Sequence, residues 1–372
     1  MRSSVGSVGG DTAADGGPPP PPPPRGRTIE LQSFDTIEAE LTEWLWEGRI
    51  PRGMLTRLVG TEGLGKSAAT LAIAAALTRG ALPGTFEGTP TDAALITVED
   101  DPRRTIWPRL VAAGADLERV HTVKVAEDGQ GAGFVLPRDA ADLGRKLGDA
   151  GVSLVIIDPL SAALDPKLNS HKDTDVREAM GPLGAAAEEH DFAMLGVMHT
   201  NKAATTDARQ RAIGSAGWRY IVRSELYLGV DPDDPGGKEG QGRAIAHSKC
   251  NVGRMARTVR VKLSEATATV KGRPQKYVRA DFGEECDHTA NELLAAEAGV
   301  EREGPTKQTA AMGLIHEMLA DGPKAVAALK QAAEDREISW RTLERAKETA
   351  GVKAKQVPGG WVWALPGDRL EP

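Results

Sequence analysis

The sequence predicts an α/β protein with a mostly parallel central sheet and helices on both faces. Three observations carry this. Short β-type apolar runs alternate with helical patterns through the middle of the chain, and the runs are apolar throughout, as strands covered on both faces must be. A glycine-rich loop joins the first of these runs to the first helix. Strands are expected at Leu55–Val59, Ala93–Val98, Val120–Val125, Leu154–Ile157, Phe192–Met198, Leu226–Val230 and Ala244–Ser248. Helices are expected at Lys66–Arg79, Arg103–Ala113, Ala140–Ala150 and Thr174–Glu189. Thr258–Leu263 and Lys276–Phe282 read as an antiparallel addition, and the Asp, Pro and Gly of Asp231–Gly242 as a loop.

Flanking regions differ in composition. Residues 1–27, with an unbroken run from Pro18 to Pro24, cannot bury a core and are expected to be a disordered or polyproline-II tail. The core is expected over 28–290 and a linker over 291–305. A small domain over 306–368 follows, with helical patterns at Lys307–Ala320, Lys324–Glu334 and Trp340–Ala350. A Gly-Gly turn then precedes Trp361-Val362-Trp363. Three short helices and a β-hairpin are the layout of a winged helix. Ser339 is placed to cap the third helix, whose Trp340, Leu343 and Ala350 should pack inward. Trp361 and Trp363 are expected to complete that small core. Arg341 and Arg345 fall on the outward face, with Lys353 and Lys355 entering the wing, a pattern suited to duplex DNA. Glu344 and Glu348 interrupt it and leave protein docking open.

The 372 residues, 40% hydrophobic and 27% charged, are those of a soluble globular protein. A net charge of −7 excludes a uniformly basic nucleic-acid coat protein but not local basic patches. Cys250 and Cys286, with no CxxC pair, indicate neither a disulfide scaffold nor a zinc site and fit a reducing, cytoplasmic location. No apolar run is long enough to cross a membrane, and the N-terminus has no signal-peptide core.

Gly60-Thr61-Glu62-Gly63-Leu64-Gly65-Lys66-Ser67 reads G-x-x-x-x-G-K-S, entered by an apolar strand and left by an alanine-rich helix. In that context the backbone N–H groups turn inward around phosphates and the helix N-terminus adds partial positive charge. Lys66 is expected to reach the β- and γ-phosphates of ATP and Ser67 to help hold Mg²⁺. Asp158 ends the apolar strand Leu154–Ile157 and is the expected second ligand of Mg²⁺ through its water shell. Glu99 ends another strand, expected next to the phosphate-loop strand, from where it would orient the attacking water. Asp100 and Asp101 read as helix caps. His199, ending Phe192–Met198, could contact the γ-phosphate, or be an ordinary surface histidine.

Here a family resemblance enters. Trp44-Leu45-Trp46, Ile50-Pro51-Arg52-Gly53, Val98-Glu99-Asp100-Asp101 and Ile156-Ile157-Asp158-Pro159-Leu160 resemble RecA-type AAA-family ATPases. So do Met198-His199-Thr200-Asn201-Lys202, Ile213-Gly214-Ser215 and Ala246-His247-Ser248-Lys249-Cys250-Asn251. The chain looks most like plasmid RepA-type hexameric replicative helicases and related phage and mobile-element ATPases. The resemblance spans about Leu41 to Phe282. It implies a RecA-like core that assembles as a homo-oligomeric ring, a hexamer favoured, with ATP between neighbouring subunits. It implies Glu99 as catalytic base, His199 as γ-phosphate sensor, and a cation reaching across the subunit boundary. Lys249 lies in the matching segment, but Asn251 stands where related ring helicases often place an arginine, so Arg254 or Arg223 is the alternative finger. The resemblance also implies single-stranded DNA in a central channel, along loops that here carry Lys167, His171 and Lys172, then Lys202, Arg209 and Arg211. Neither loop has an aromatic residue to stack bases.

The function expected is DNA-dependent ATP hydrolysis in a ring, as a helicase or translocase. Two alternatives stay open: a recombination or repair ATPase without unwinding, and a nucleotide-switched DNA-binding regulator. No primase or nuclease constellation is present, so a replication role would need partners such as a primase or an initiator.

Overall fold

The computed structural model describes residues 29–200, 208, 216–299, 307–320, 322–357 and 360–365. The proline run, Lys202, Arg209, Arg211, Ile213-Gly214-Ser215 and the side chains of Arg345 and Glu348 lie outside the described residues. The chain divides between Leu41 and Thr42. On the N-terminal side, the described residues hold one short 3₁₀ turn, Phe34–Thr36, and expose Ile29, Leu31, Phe34 and Leu41.

Beyond Thr42, two short strands, β1 (Trp44–Trp46) and β2 (Ile50–Pro51), pair antiparallel and lead into β3 (Leu55–Gly60). The main sheet continues with β4 (Asp92–Thr97), β5 (Val120–Thr122), β8 (Val152–Asp158), β9 (Ala193–His199) and β10 (Ser224–Val230). β6 (Val125–Glu127) and β7 (Gln130–Ala132) form a separate hairpin, so the single strand expected over Val120–Val125 is two short ones. The sheet is completed by β11 (Gly242–Cys250), β12 (Thr258–Val270) and β13 (Arg273–Cys286), in the spatial order β13-β12-β11-β10-β3-β9-β8-β4-β5. From β10 to β5 neighbours are parallel; from β10 to β13 they are antiparallel. This mostly parallel sheet fits a RecA-like α/β core.

The helices are α1 (Lys66–Thr78), α2 (Trp107–Ala113), α3 (Ala140–Asp149), α4 (Asp173–His190), α5 (Ala216–Ile221) and α6 (Ala290–Glu297). Side chains alternate between two cores, as strand geometry requires. Leu154 and Ile156 of β8 pack with α1, α2 and the β12–β13 hairpin, while Val155 and Ile157 pack with α3, α4, α5 and α6. Apolar character on both faces is what made these strands readable.

Two features depart from the sequence expectation. The antiparallel hairpin is far longer than the two short segments, because its outer half is polar and exposed. Its two-residue turn, Lys271-Gly272, has φ of 50° and 77°, the primed geometry that matches strand twist. The second is α6, of which all but the first residue falls where a linker was expected. It opens with a capping box: the Thr289 hydroxyl accepts from Glu292 N–H at 3.3 Å, and the Glu292 carboxylate accepts from Thr289 N–H at 2.7 Å.

The C-terminal residues build α7 (Lys307–Leu319), α8 (Val326–Asp335), α9 (Trp340–Thr349) and a three-stranded antiparallel sheet. Its strands are β14 (Lys324–Ala325), β15 (Lys353–Val357) and β16 (Gly360–Ala364), in the order β14-β16-β15. Leu314, Ile315, Leu329, Leu343 and Trp363 form their own apolar cluster. Ser339 caps α9 through Thr342 N–H at 3.2 Å. Trp361 does not complete this core as expected. It pairs with Gln356 near the hairpin turn and is 53% exposed, while Trp363 is 3% exposed.

Candidate active site

Parallel strands bring their carboxyl ends to one edge of the sheet, where open α/β proteins bind ligands. β3 ends at Gly60, which is in register with His199 of β9, and Thr97 of β4 is in register with Asp158 of β8. Val98 N–H donates to the Asp158 carbonyl at 3.2 Å, placing Glu99 one residue beyond the tie to the Asp158 strand. Lys66, Ser67, Asp158, His199 and Glu99 therefore share this edge. The strand order corrects one expectation: β9 and β8 lie between β3 and β4, so Glu99 follows the strand beside Asp158, not the strand beside the phosphate loop. Glu99 is exposed.

The loop from Gly60 to Gly65 is shaped by sterics. A Cβ at Gly60 would run into the Leu228 carbonyl of β10, and Gly65 adopts φ 94° just before α1, with Leu263 of the hairpin 2.9 Å from any Cβ there. Gly63 has φ 81°. Glu62 is exposed at the loop tip and Leu64 is buried beneath it.

Lys66 opens α1 and is 5% exposed. Its ammonium donates to the carbonyls of Gly60 at 2.8 Å and Thr61 at 2.9 Å. Burial lowers its pKa to about 8, against the pull of Asp158, Glu62 and Glu297. The Ser67 hydroxyl donates to Asp158 Oδ2 at 2.7 Å. Burial raises the Asp158 pKa, while the Ser67 hydrogen bond, Lys66 and His199 oppose the rise. The two buried groups are thus displaced in opposite directions, each towards neutrality. Magnesium triphosphate would relieve both, its oxygens compensating the ammonium and its cation the carboxylate. The donor set fits that ligand: glycine-lined amides and Lys66 for phosphates, Ser67 and Asp158 for Mg²⁺.

Asp101 caps the π-helical turn Pro102–Ile106, accepting from Arg103 N–H at 2.9 Å and Arg104 N–H at 2.8 Å. These hydrogen bonds, that from Arg104 largest, hold its carboxyl below the usual range. Asp100 faces Arg109 at 3.4 Å instead of capping.

The candidate trans-acting cations lie elsewhere. Arg223 N–H donates to the Leu55 carbonyl at the start of β3, roughly 16 Å of strand from Gly60. Lys249 is in register with Glu225, which is in register with Arg57. Its ammonium donates to the carbonyls of Arg219 and, at 2.9 Å, of Val222. Burial lowers its pKa, helped by Arg57, Arg223 and Arg219 and opposed by Glu225. Arg254 is exposed on the loop after β11, at this same amino edge. None of these three stands at the chain's own phosphate loop.

Three contributors, Glu297, Trp218 and His247, were not singled out from the sequence. Glu297 of α6 accepts from the Thr61 hydroxyl at 2.6 Å and from Tyr227 at 3.0 Å. Trp218 is fully buried and donates from its indole to the Ser170 carbonyl at 3.1 Å, tying α5 to the segment that carries Lys167, His171 and Lys172. These three are exposed, and Lys172 pairs with Asp175 at 3.0 Å. His247 stands between Ser224 at 2.9 Å and Ala256 N–H at 3.0 Å, fastening the loop that bears Arg254. Only their aromatic or titratable character marked these residues, since the contacts join positions nine to 236 residues apart in the chain.

Comparison with solved structures finds, among many matches, the crystal structure of the RadB recombinase. It is 13% identical, with 58% of this chain and 89% of that chain covered and a TM-score of 0.39. Comparison with curated proteins finds no match. Residues 20–205, half of the 372-residue chain, match the family described as AAA domain. That stretch holds the phosphate loop, Glu99, Asp158 and His199, and with half its length matched the chain belongs to the AAA domain family, as a P-loop ATPase.

Proposed function

We propose that this ATPase works as a DNA-dependent ring, a helicase or translocase of the RepA type serving a plasmid, phage or integrated element. The observation that carries the reading is the division of charge between the two sheet edges. The phosphate loop, Asp158, Glu99 and His199 occupy the carboxyl edge, whereas Arg223, Lys249 and exposed Arg254 occupy the amino edge. These cations are useful to a triphosphate only when it is held by a neighbouring subunit, and a ring supplies that neighbour to every site. The carboxyl edge, where Glu99 is exposed, suits closure by a second copy.

In the proposed mechanism the loop amides and Lys66 hold the β- and γ-phosphates in line for attack. Ser67 and Asp158 would hold Mg²⁺, which would supply positive charge against the phosphoryl oxygens. Glu99 orients and deprotonates the attacking water, and the neighbour's Arg254 stabilises charge on the transferred group. His199, in register with Gly60, passes loss of the γ-phosphate to the segment after β9. That segment and the one anchored by Trp218 would line the DNA path, contacting phosphates without reading bases. The C-terminal helices and sheet, read as a winged helix, would add a duplex contact through Arg341, Lys353 and Lys355, which are exposed.

The test is ATP turnover with and without single-stranded DNA, beside a sizing measurement and strand separation on a forked duplex. The expected result is a multimer whose turnover DNA stimulates and which unwinds the fork. Strand exchange without unwinding would place the protein among recombination ATPases. ATP-controlled duplex binding with negligible turnover would make it a regulator.

A further inference from the structure

The contact between α6 and the phosphate loop has a consequence for ligand binding. Glu297 is the last residue of α6, and its two carboxylate oxygens are held by different partners: Oε2 by the Thr61 hydroxyl at 2.6 Å and Oε1 by Tyr227 of β10 at 3.0 Å. Thr61 is the second residue of the phosphate loop. Its own carbonyl receives the Lys66 ammonium at 2.9 Å, and its hydroxyl lies 3.3 Å from that of Thr200, just after His199. The carboxylate thus lies within the electrostatic field of Lys66, as well as that of Arg243. Space for the approach is made by Gly229, where a Cβ would come within 2.8 Å of Leu293 and 2.9 Å of Glu297.

We propose that Glu297 is an electrostatic latch on the phosphate loop: it holds Thr61, and the charge of a bound nucleoside triphosphate opposes that hold. The inference rests on the ATP-binding reading of the loop. A fixed anion beside Lys66 competes with the incoming phosphates for the same cation, so the carboxylate raises the dissociation constant of an anionic ligand. By reciprocity, whatever factor the latch takes from ATP affinity, bound ATP takes from the docking of α6. α6 is also the last core helix before α7, so release of its C-terminal end is available to the C-terminal residues as a report of nucleotide occupancy.

The test is calorimetric titration of full-length wild type and Glu297→Gln with ATP, ADP and adenosine. Glutamine keeps the shape and removes the charge; its amide oxygen accepts from one of the two hydroxyls and its NH₂ group donates to the other. ATP should bind roughly 3- to 10-fold more tightly to the variant, ADP should gain less, and adenosine should be unchanged. Hydrogen exchange across Ala290–Glu297 should rise on adding ATP to wild type and stay flat in Glu297→Gln. An ATP affinity equal to or weaker than wild type, or one uniform change for all three ligands, overturns the latch. Absence of ATP binding in wild type itself would instead overturn the reading on which the latch rests.

Discussion

Lys66 and Asp158 owe their behaviour to burial without a full complement of opposite charge. An ordinary lysine stays protonated far above neutrality, but Lys66 titrates at about 8 because its ammonium is shielded from water. On the proposed reading its ammonium is the main charge holding the phosphates, so Lys66→Ala should abolish ATP binding and turnover together. Glu99 differs in kind, being exposed and touching none of the groups that hold phosphate. Glu99→Gln should retain ATP affinity within about twofold while turnover falls by 10²-fold or more, the usual scale for loss of a general base. Titration with ATP and steady-state hydrolysis on the same samples separate the two roles, and unimpaired hydrolysis in Glu99→Gln would refute its assignment.

Elements act here by presenting loops, and the loop from Asn251 to Arg257 shows how one side chain can fasten such a segment. His247 of β11 accepts from Ala256 N–H at Nδ1. Ser224, which already donates to the Arg49 carbonyl at 2.6 Å, accepts from Nε2. Both ring nitrogens are committed, so a second proton would cost the Ala256 bond. Burial foremost, then Arg49, lowers the His247 pKa from 6.5 to about 4. The folded pKa is the depressed one, so the unfolded chain takes up a proton that the folded chain refuses. Stability from this group is complete above pH 6.5 and is lost as pH falls towards 4, by at most about 3 kcal/mol. His247→Asn keeps an acceptor for Ala256 and does not titrate. Urea midpoints measured between pH 7 and pH 4 should decline less steeply in the variant, and parallel curves would remove His247 from the account.

At the scale of the whole molecule, the proposed ring makes different demands of the two sheet edges. Arg254→Ala should leave ATP affinity unchanged and cut turnover by on the order of 10³-fold, as loss of a trans-acting arginine does. A mixture of Arg254→Ala with Glu99→Gln is more telling. A site whose Glu99 comes from the first variant and whose Arg254 comes from the second is complete, so mixed assemblies should recover hydrolysis that neither variant shows alone. A mixture as inactive as its components would mean that Arg254 serves no neighbour's phosphate.

The phosphate loop, the acidic strand ends and the parallel core were legible in order along the chain because each depends on local chemistry. Glycines mark backbone that must turn, uninterrupted apolar runs mark strands covered on both faces, and a carboxylate ending such a run marks a strand tip. The AAA domain membership follows from that same stretch. Strand order was not legible, since hydrophobicity says which faces are buried and not which neighbour buries them; hence Glu99 was set beside the wrong strand. Nor could the sequence show that the last residue of a helix read as linker reaches back across 236 positions to Thr61. Long-range hydrogen bonds of this kind leave no periodicity behind, and only the packing of α6 over Gly229 brings the two residues within reach.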